Sequence, residues 1–138
     1  MSPTETTGTG HAARIAQSAA SLDGVRSAVV CGAEGNVLAA AGCEEPARHA
    51  ALASFVAMRA EALPVDGDLR GMGKQLAGSR FAHLAISGER ADALLLGVGD
   101  AYLYVTTAPG RGPLALGPLT NLARRYGMAN LTTRSPQP

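Results

Sequence analysis

Histidine and cysteine, the residue types that most often carry catalysis or bind metals, are few in this chain. His11, His49 and His83 do not share the spacing of metal ligands, so each is expected to be an ordinary surface or half-buried histidine. The patterns HExxH, CxxC and GxSxG do not occur. Because no nucleophile with a base and an orienting group can be named, we expect neither an enzyme nor a bound cofactor or metal.

The two cysteines, Cys31 and Cys43, are predicted to be free thiols. They fall on the two arms of a predicted hairpin. A turn at Glu34-Gly35 would pair Cys31 with Leu38 and Cys43 with Arg26, which leaves the two sulfurs too far apart for a disulfide. Two free thiols fit a reducing cytosol, so a cytoplasmic location is expected.

Two further features resemble parts of nucleotide chemistry. The segment Gly71-Met72-Gly73-Lys74 resembles part of a phosphate-binding loop. That motif needs a glycine five residues before the Gly-Lys pair and a Ser or Thr after it. Those positions hold Asp68 and Gln75. Arg111 could serve in principle as an arginine finger for a GTPase. The favoured interpretation of Arg111 is an exposed loop arginine.

Composition limits the class of partner. A chain of 138 residues suits one domain, and 46% hydrophobic with 17% charged residues allows a packed core. The formal net charge of +1 argues against nucleic acid, and Arg124-Arg125 is expected to be a solvated helix face. No apolar run reaches transmembrane length, and residues 2–10 lack the regions of a signal peptide, so no membrane association is expected.

Hydrophobic periodicity and turn signals predict the element order α-β-β-α-β-β-β-α in a body of residues 11–130, with disordered tails at 1–10 and 131–138. The last helix could begin at Pro113 or at Pro118, and the earlier start would place a bend at Pro118. The predicted helices cover residues 11–22, 46–63 and 113–126, with a short helical stretch at 69–78 after a break at 64–68. The predicted strands cover residues 25–31, 37–42, 81–87, 93–98 and 101–107.

The second helix and the strand that follows it carry an unusual amount of apolar surface. Helical spacing aligns the residues Leu52, Phe55, Val56, Arg59 and Leu63 in one stripe. In the strand, Leu84 and Ile86 share one face, and Phe81 and His83 share the other. Residues 81–87 contain no Asp, Glu, Lys or Arg, so an open edge here is not protected against pairing with another strand. Met58 and Met72 are interpreted as core filler.

The ordered set of elements resembles the roadblock/dynein light-chain family, including bacterial regulators of Ras-like polarity GTPases. The likeness starts from the opening helix and the run Leu22-Asp23-Gly24-Val25-Arg26-Ser27-Ala28-Val29-Val30, followed by the hairpin Ala33-Glu34-Gly35-Asn36-Val37-Leu38-Ala39. The long second helix, the three-stranded meander and the closing helix also match in length. The likeness covers about residues 11–128.

The resemblance implies an α+β, profilin-like fold. Its five-stranded antiparallel sheet would have the order 2-1-5-4-3, with the second helix on one face and the other two helices on the opposite face. It also implies a dimer through residues 46–63 and 81–87. The expected interface residues are Leu52, Phe55, Val56, Arg59, Phe81, His83, Leu84 and Ile86.

The function that the resemblance implies is a non-enzymatic homodimeric scaffold or regulator of a Ras-like small GTPase, with GTPase activation as one form of that role. Two alternatives stay open. One is a plain assembly module that forms a heterodimer with another roadblock-type protein. The other is a profilin-like sensor of a small ligand, which would need a polar pocket beneath the sheet.

Overall fold

The computed structural model describes residues 6–8, 10–62 and 83–126, with the backbone alone for 6–8 and 60–62. The helices are α1 (Gly10–Ala20), α2 (Pro46–Ala62) and α3 (Gly112–Arg125). The strands are β1 (Thr6–Gly8), β2 (Val25–Cys31), β3 (Val37–Ala41), β4 (His83–Ile86), β5 (Asp92–Val98) and β6 (Ala101–Thr107).

The strands form one antiparallel sheet in the order β1-β3-β2-β6-β5-β4. The five predicted strands, 1 to 5 in chain order, are β2 to β6. Their observed order β3-β2-β6-β5-β4 is therefore the predicted order 2-1-5-4-3, which is confirmed. β1 is an additional strand, paired with β3 at the edge of the sheet. β2 and β6 are the central pair, in keeping with their long apolar runs.

Both faces of the sheet are covered, as the small apolar residues of β2 and β3 predict. On one face α1 and α3 pack together over a core whose fully buried members include Ile15, Val30, Leu96, Leu103 and Leu119. On the other face α2 packs over Val29, Cys31, Ala40 and Leu95. The predicted distribution of helices, one on one face and two on the other, is confirmed.

The β2–β3 hairpin turns at the predicted place, and Gly35 there has a φ of +87°, a conformation that favours glycine. The predicted register is observed from Ala28 to Val30, which lie opposite Ala41 to Ala39, and it is wrong only at Cys31. Cys31 lies opposite Val37 rather than Leu38, because the ladder shifts by one residue between Val30 and Cys31. Such a bulge inserts an unpaired residue in one strand and leaves no clear trace in the hydrophobic pattern. Both cysteines are free, as predicted.

The prediction of a tail at residues 1–10 differs from the structure at Thr6–Gly8 and at Gly10. Thr6–Gly8 pairs with Ala39–Ala41 of β3, and α1 begins at Gly10. The physical reason is the backbone of β3, whose outer edge would otherwise present unpaired N–H and C=O groups. A three-residue Thr-Thr-Gly strand has too little periodicity to be predicted.

The closing helix begins at Gly112 with Pro113 in its first turn, so the earlier of the two predicted starts is observed and Pro118 lies inside the helix. A proline there removes the N–H that would bond the carbonyl of Leu114. Leu114 and Pro118 are both exposed, so the carbonyl of Leu114 that lacks this helical bond lies on the solvent-facing side of the helix.

Several predicted features lie outside the described residues. They are the break at 64–68, the helical stretch at 69–78 with its glycine-lysine sequence, Phe81, and the tail at 131–138. Within the described ranges, none of the helices has the length and apolar character needed to cross a membrane.

Candidate protein interface

Helix α2 turns its smallest apolar residues toward the sheet. Ala50, Ala53 and Ala57 are almost completely buried against the strands. Their spacing of three and four residues places them on one side of the helix. Alanine lets the helix backbone approach the sheet closely, and it leaves the larger apolar residues of α2 on other sides of the helix.

The outward side of α2 is apolar as well. Leu52, Phe55 and Met58 are 49%, 56% and 64% exposed. The interpretation of Met58 as core filler is therefore wrong, since the alanines occupy the core positions. The guanidinium carbon of Arg59 lies 5.4 Å from the centre of the Phe55 ring, a cation–π contact on this outer surface.

Strand β4 carries further apolar residues on the face of the sheet that α2 covers. Leu84 lies opposite Leu95 in the ladder and is half-buried beside the core under α2. Ile86 shares that face by the alternation of the strand and is 52% exposed. The helix packs mainly on β2, β3 and β6, so this end of the sheet is left beside the helix rather than under it.

β4 is also the end of the sheet. Among the strands that the structure describes, it pairs only with β5, and on its other side no described strand pairs with its backbone N–H and C=O groups. The strand sequence His83-Leu84-Ala85-Ile86 carries neither lysine nor proline, which are the usual means of protecting an edge. We refer to Leu52, Phe55, Met58, Arg59, Ile86 and the open edge of β4 as the α2–β4 surface.

The structure brings together only part of the predicted interface. Leu52, Phe55, Arg59 and Ile86 are in the α2–β4 surface, and Val56 and Leu84 lie half-buried at the core beneath it. His83 is exposed, on the opposite face of β4 from Leu84. Met58 was missed, although its spacing of three residues from Phe55 and six from Leu52 could have identified it.

Asp92, also missed by the sequence analysis, holds together the turns that flank this end of the sheet. Its side chain is 3% exposed. Oδ1 accepts a hydrogen bond from the N–H of Gly88 at 3.2 Å, and Oδ2 accepts from the N–H groups of Gly110 and Gly112 at 3.1 Å each. Gly112 is the first residue of α3, where a carboxylate meets both free N–H donors and the positive end of the helix dipole.

The arrangement also explains the glycine at position 112. A Cβ added there would lie 2.9 Å from Oδ2 of Asp92. Asp92 thus fixes the turn after β4 to the start of α3, and it contributes to the position of the open β4 edge.

Cys43 and His49 come together at the start of α2, which the sequence did not reveal. Cys43 Sγ lies 3.5 Å from His49 Nδ1, and the His49 ring packs edge-on against Tyr104 with ring centres 5.5 Å apart. Burial is the main cause that raises the pKa of the Cys43 thiol, and the carboxylates of Glu45 and Glu44 raise it further. A raised pKa keeps the thiol protonated at neutral pH, so this contact does not make Cys43 a strong nucleophile.

Cys31, buried in β2 beneath α2, yields a pH-dependent prediction. Burial raises the pKa of its thiol to about 11 from 9.0. The stability that this thiol contributes is complete below about pH 9 and is lost as the pH rises toward 11, because only the unfolded chain ionises readily in that range. The loss is about 2–3 kcal/mol of the free energy of unfolding.

The matched comparison is the Cys31→Ala variant, measured by urea denaturation between pH 8 and pH 11. All other groups are common to both proteins, so their effects cancel in the comparison. As the pH rises from 8 to 11, the free energy of unfolding of the unmodified protein should therefore fall more than that of Cys31→Ala. A difference that stays constant with pH would contradict the assignment.

Arg111 is the N-cap residue of α3, and its side chain makes a surface ion pair. Its guanidinium is 3.7 Å from the carboxylate of Asp23, and a Cβ added at Gly24 would lie 2.9 Å from the Arg111 side chain.

Among the residues that the structure describes, no cluster of three or more metal-ligating side chains occurs.

Comparison with solved structures identifies similar folds. The Roadblock/LC7 domain from Streptomyces avermitilis has a TM-score of 0.62 and 18% identity, over 84% of this chain and 97% of that one. The gliding protein MglB from Thermus thermophilus has a TM-score of 0.62 and 22% identity, over 85% and 88%. A structure described as MglB with a tetrameric arrangement has the same score and identity, over 91% and 97%.

No protein-family model matches the sequence, and no curated protein matches it. At these identities, the likeness to the solved structures is a likeness of fold.

Proposed function

We propose that this chain, which has the fold of the Roadblock/LC7 domain, is a non-enzymatic homodimeric scaffold that binds a Ras-like small GTPase in the cytoplasm. The observation that carries the proposal is the α2–β4 surface. It combines exposed large apolar side chains on a helix with the uncharged open edge of a neighbouring strand.

The two parts of this surface favour a second copy of the same chain as one occupant. Two β4 edges related by a twofold axis perpendicular to the sheet run antiparallel, which suits the antiparallel pairing of this sheet. The pairing would join two six-stranded sheets into one of twelve strands. Leu52, Phe55 and Met58 of each copy would then face the partner beside the joined strands, and their burial would add a hydrophobic contribution to the backbone bonds.

The GTPase is proposed as the second partner on the strength of the family resemblance. The sequence resembles roadblock regulators of Ras-like polarity GTPases, and the fold is similar to that of two MglB structures. The chain's own potential reactive groups support a binding role rather than a catalytic one. The Cys43 thiol has a raised pKa, and Arg111 is paired with Asp23.

The tight packing between α2 and the sheet argues against the alternative of a small-ligand sensor. Ala50, Ala53 and Ala57 pack directly on the strand residues Val29, Cys31 and Ala40. This close packing favours a protein interface over a polar pocket. A heterodimer with another roadblock-type protein would use the same surface, and the experiment below separates it from the proposed function.

The experiment is affinity capture from the native cell extract, with the purified protein as bait and a GTP or GDP analogue added. We expect a small GTPase to be enriched with one of the two nucleotides, and the purified GTPase to reproduce that preference by direct titration. Arg111→Ala should capture the same protein, since its only described ion pair is on the surface. Capture of roadblock-type proteins alone, independent of nucleotide, would contradict the GTPase as partner.

A further inference from the structure

The five strands expected from the sequence would form a sheet with two unprotected edges. One edge is β4, described above. The other is β3, whose sequence Val37-Leu38-Ala39-Ala40-Ala41 has no charge, no lysine and no proline. Beyond the bulge, Ala39, Ala40 and Ala41 pair with β2 in regular register. An uncharged edge of this kind is a template for pairing with another chain, and proteins normally cover or interrupt it.

In this protein the β3 edge is covered by the chain's own N-terminal segment. Thr6, Thr7 and Gly8 lie opposite Ala41, Ala40 and Ala39. One residue separates β1 from α1, and Gly10 at the start of the helix has a φ of +65°, which allows the chain to reverse direction there. At three residues, β1 is itself short, and a very short edge strand offers little surface for further pairing.

We propose that the β3 edge is a second strand-pairing surface of this protein, that β1 closes it within each chain, and that its occupant when β1 is absent is the β3 edge of a second copy. The segment before α1 would thereby limit assembly to the β4 side.

The identity of the occupant follows from symmetry and sequence. Two β3 strands related by a twofold axis perpendicular to the sheet run antiparallel, and each presents the same uncharged backbone edge, so the contact is self-complementary. In the dimer proposed above, on which this step rests, the two β4 edges face each other, and removal of β1 would leave the two β3 edges as the outer ends of the joined sheet. Uncovered β3 edges would then link dimer to dimer, with no symmetry that closes the assembly.

The test compares three proteins by light scattering across a range of concentrations. The variant Δ1–9 lacks β1, whereas the control Δ1–5 retains Thr6–Gly8. In Thr7→Pro the strand is interrupted by a single substitution, since proline cannot donate to a ladder. We expect the weight-average mass of Δ1–9 to at least double relative to the full chain and to rise with concentration. Thr7→Pro should show a partial increase, and Δ1–5 should show none.

The outcome separates this proposal from the proposed dimer. If the full chain is a monomer and Δ1–9 is a dimer, the β3 surface is supported and the β4 dimer fails. If the full chain is a dimer and Δ1–9 keeps the same mass with a native circular dichroism spectrum, the β3 proposal is overturned. If neither Δ1–9 nor Thr7→Pro folds, β1 is an integral part of the domain and not a removable cover, which also overturns the proposal.

Discussion

Replacing Leu52 by glutamate is expected to convert the proposed dimer into a folded monomer. The side chain is 49% exposed on the outer side of α2, where leucine and glutamate have similar helix propensities, so the fold should tolerate the change. In the dimer the new carboxylate would be buried without a partner. That costs about 3 kcal/mol or more, which corresponds to about a hundredfold increase in the dimer dissociation constant.

Leu114→Glu is the matched control for this substitution. Leu114 is also a helical leucine, 65% exposed, but it lies on α3, on the opposite face of the sheet. The control variant should keep the mass and concentration dependence of the unmodified protein in analytical ultracentrifugation. If Leu52→Glu and Leu114→Glu behave alike, the outer side of α2 is not the dimer interface.

The largest expected effect on stability comes from replacing Asp92 by alanine. The change leaves the N–H groups of Gly88, Gly110 and Gly112 without their carboxylate acceptor, in a region where Asp92 itself is almost fully buried. We expect the free energy of unfolding to fall by about 3 kcal/mol, since hydrogen bonds to a charged group are stronger than neutral ones and their loss leaves donors unsatisfied. Chemical denaturation measures the fall.

Two variants calibrate that result. Asp92→Asn retains one acceptor oxygen and should lose less stability than Asp92→Ala. Asp23→Ala removes a carboxylate that is 93% exposed and makes a surface ion pair with Arg111, so it should change the free energy of unfolding by less than about 1 kcal/mol. A loss in Asp92→Ala no larger than in Asp23→Ala would show that the turn network contributes little.

Much of the fold could be predicted because local signals and hydrophobic periodicity agree along the chain. The strand Ala101–Thr107 was predicted with the observed bounds, and Pro46 marked the start of α2. The β-bulge at Val30 and Cys31 could not be predicted, because it is a property of the pairing between two strands and not of either sequence.

The exposed residues of the α2–β4 surface were predicted only in part, because an apolar stripe on a helix does not reveal which side faces the core. Leu52 and Phe55 were identified, but Met58 was assigned to the core. The orientation of α2 could have been predicted from the alanines at positions 50, 53 and 57. A helix that packs closely on a sheet favours small residues on the side that faces the sheet. Asp92 could not be assigned a role because its three donors come from two segments far apart in sequence, the turn after β4 and the connection from β6 into α3.

The central claim is that the α2–β4 surface joins two copies of this chain, and the molar mass of the purified full-length protein in solution tests it most directly. Light scattering across a concentration series that includes tens of micromolar should give twice the chain mass of 14.0 kDa. A mass of one chain at those concentrations would contradict the account, because the exposed apolar side of α2 and the open edge of β4 would then have no partner copy to cover them.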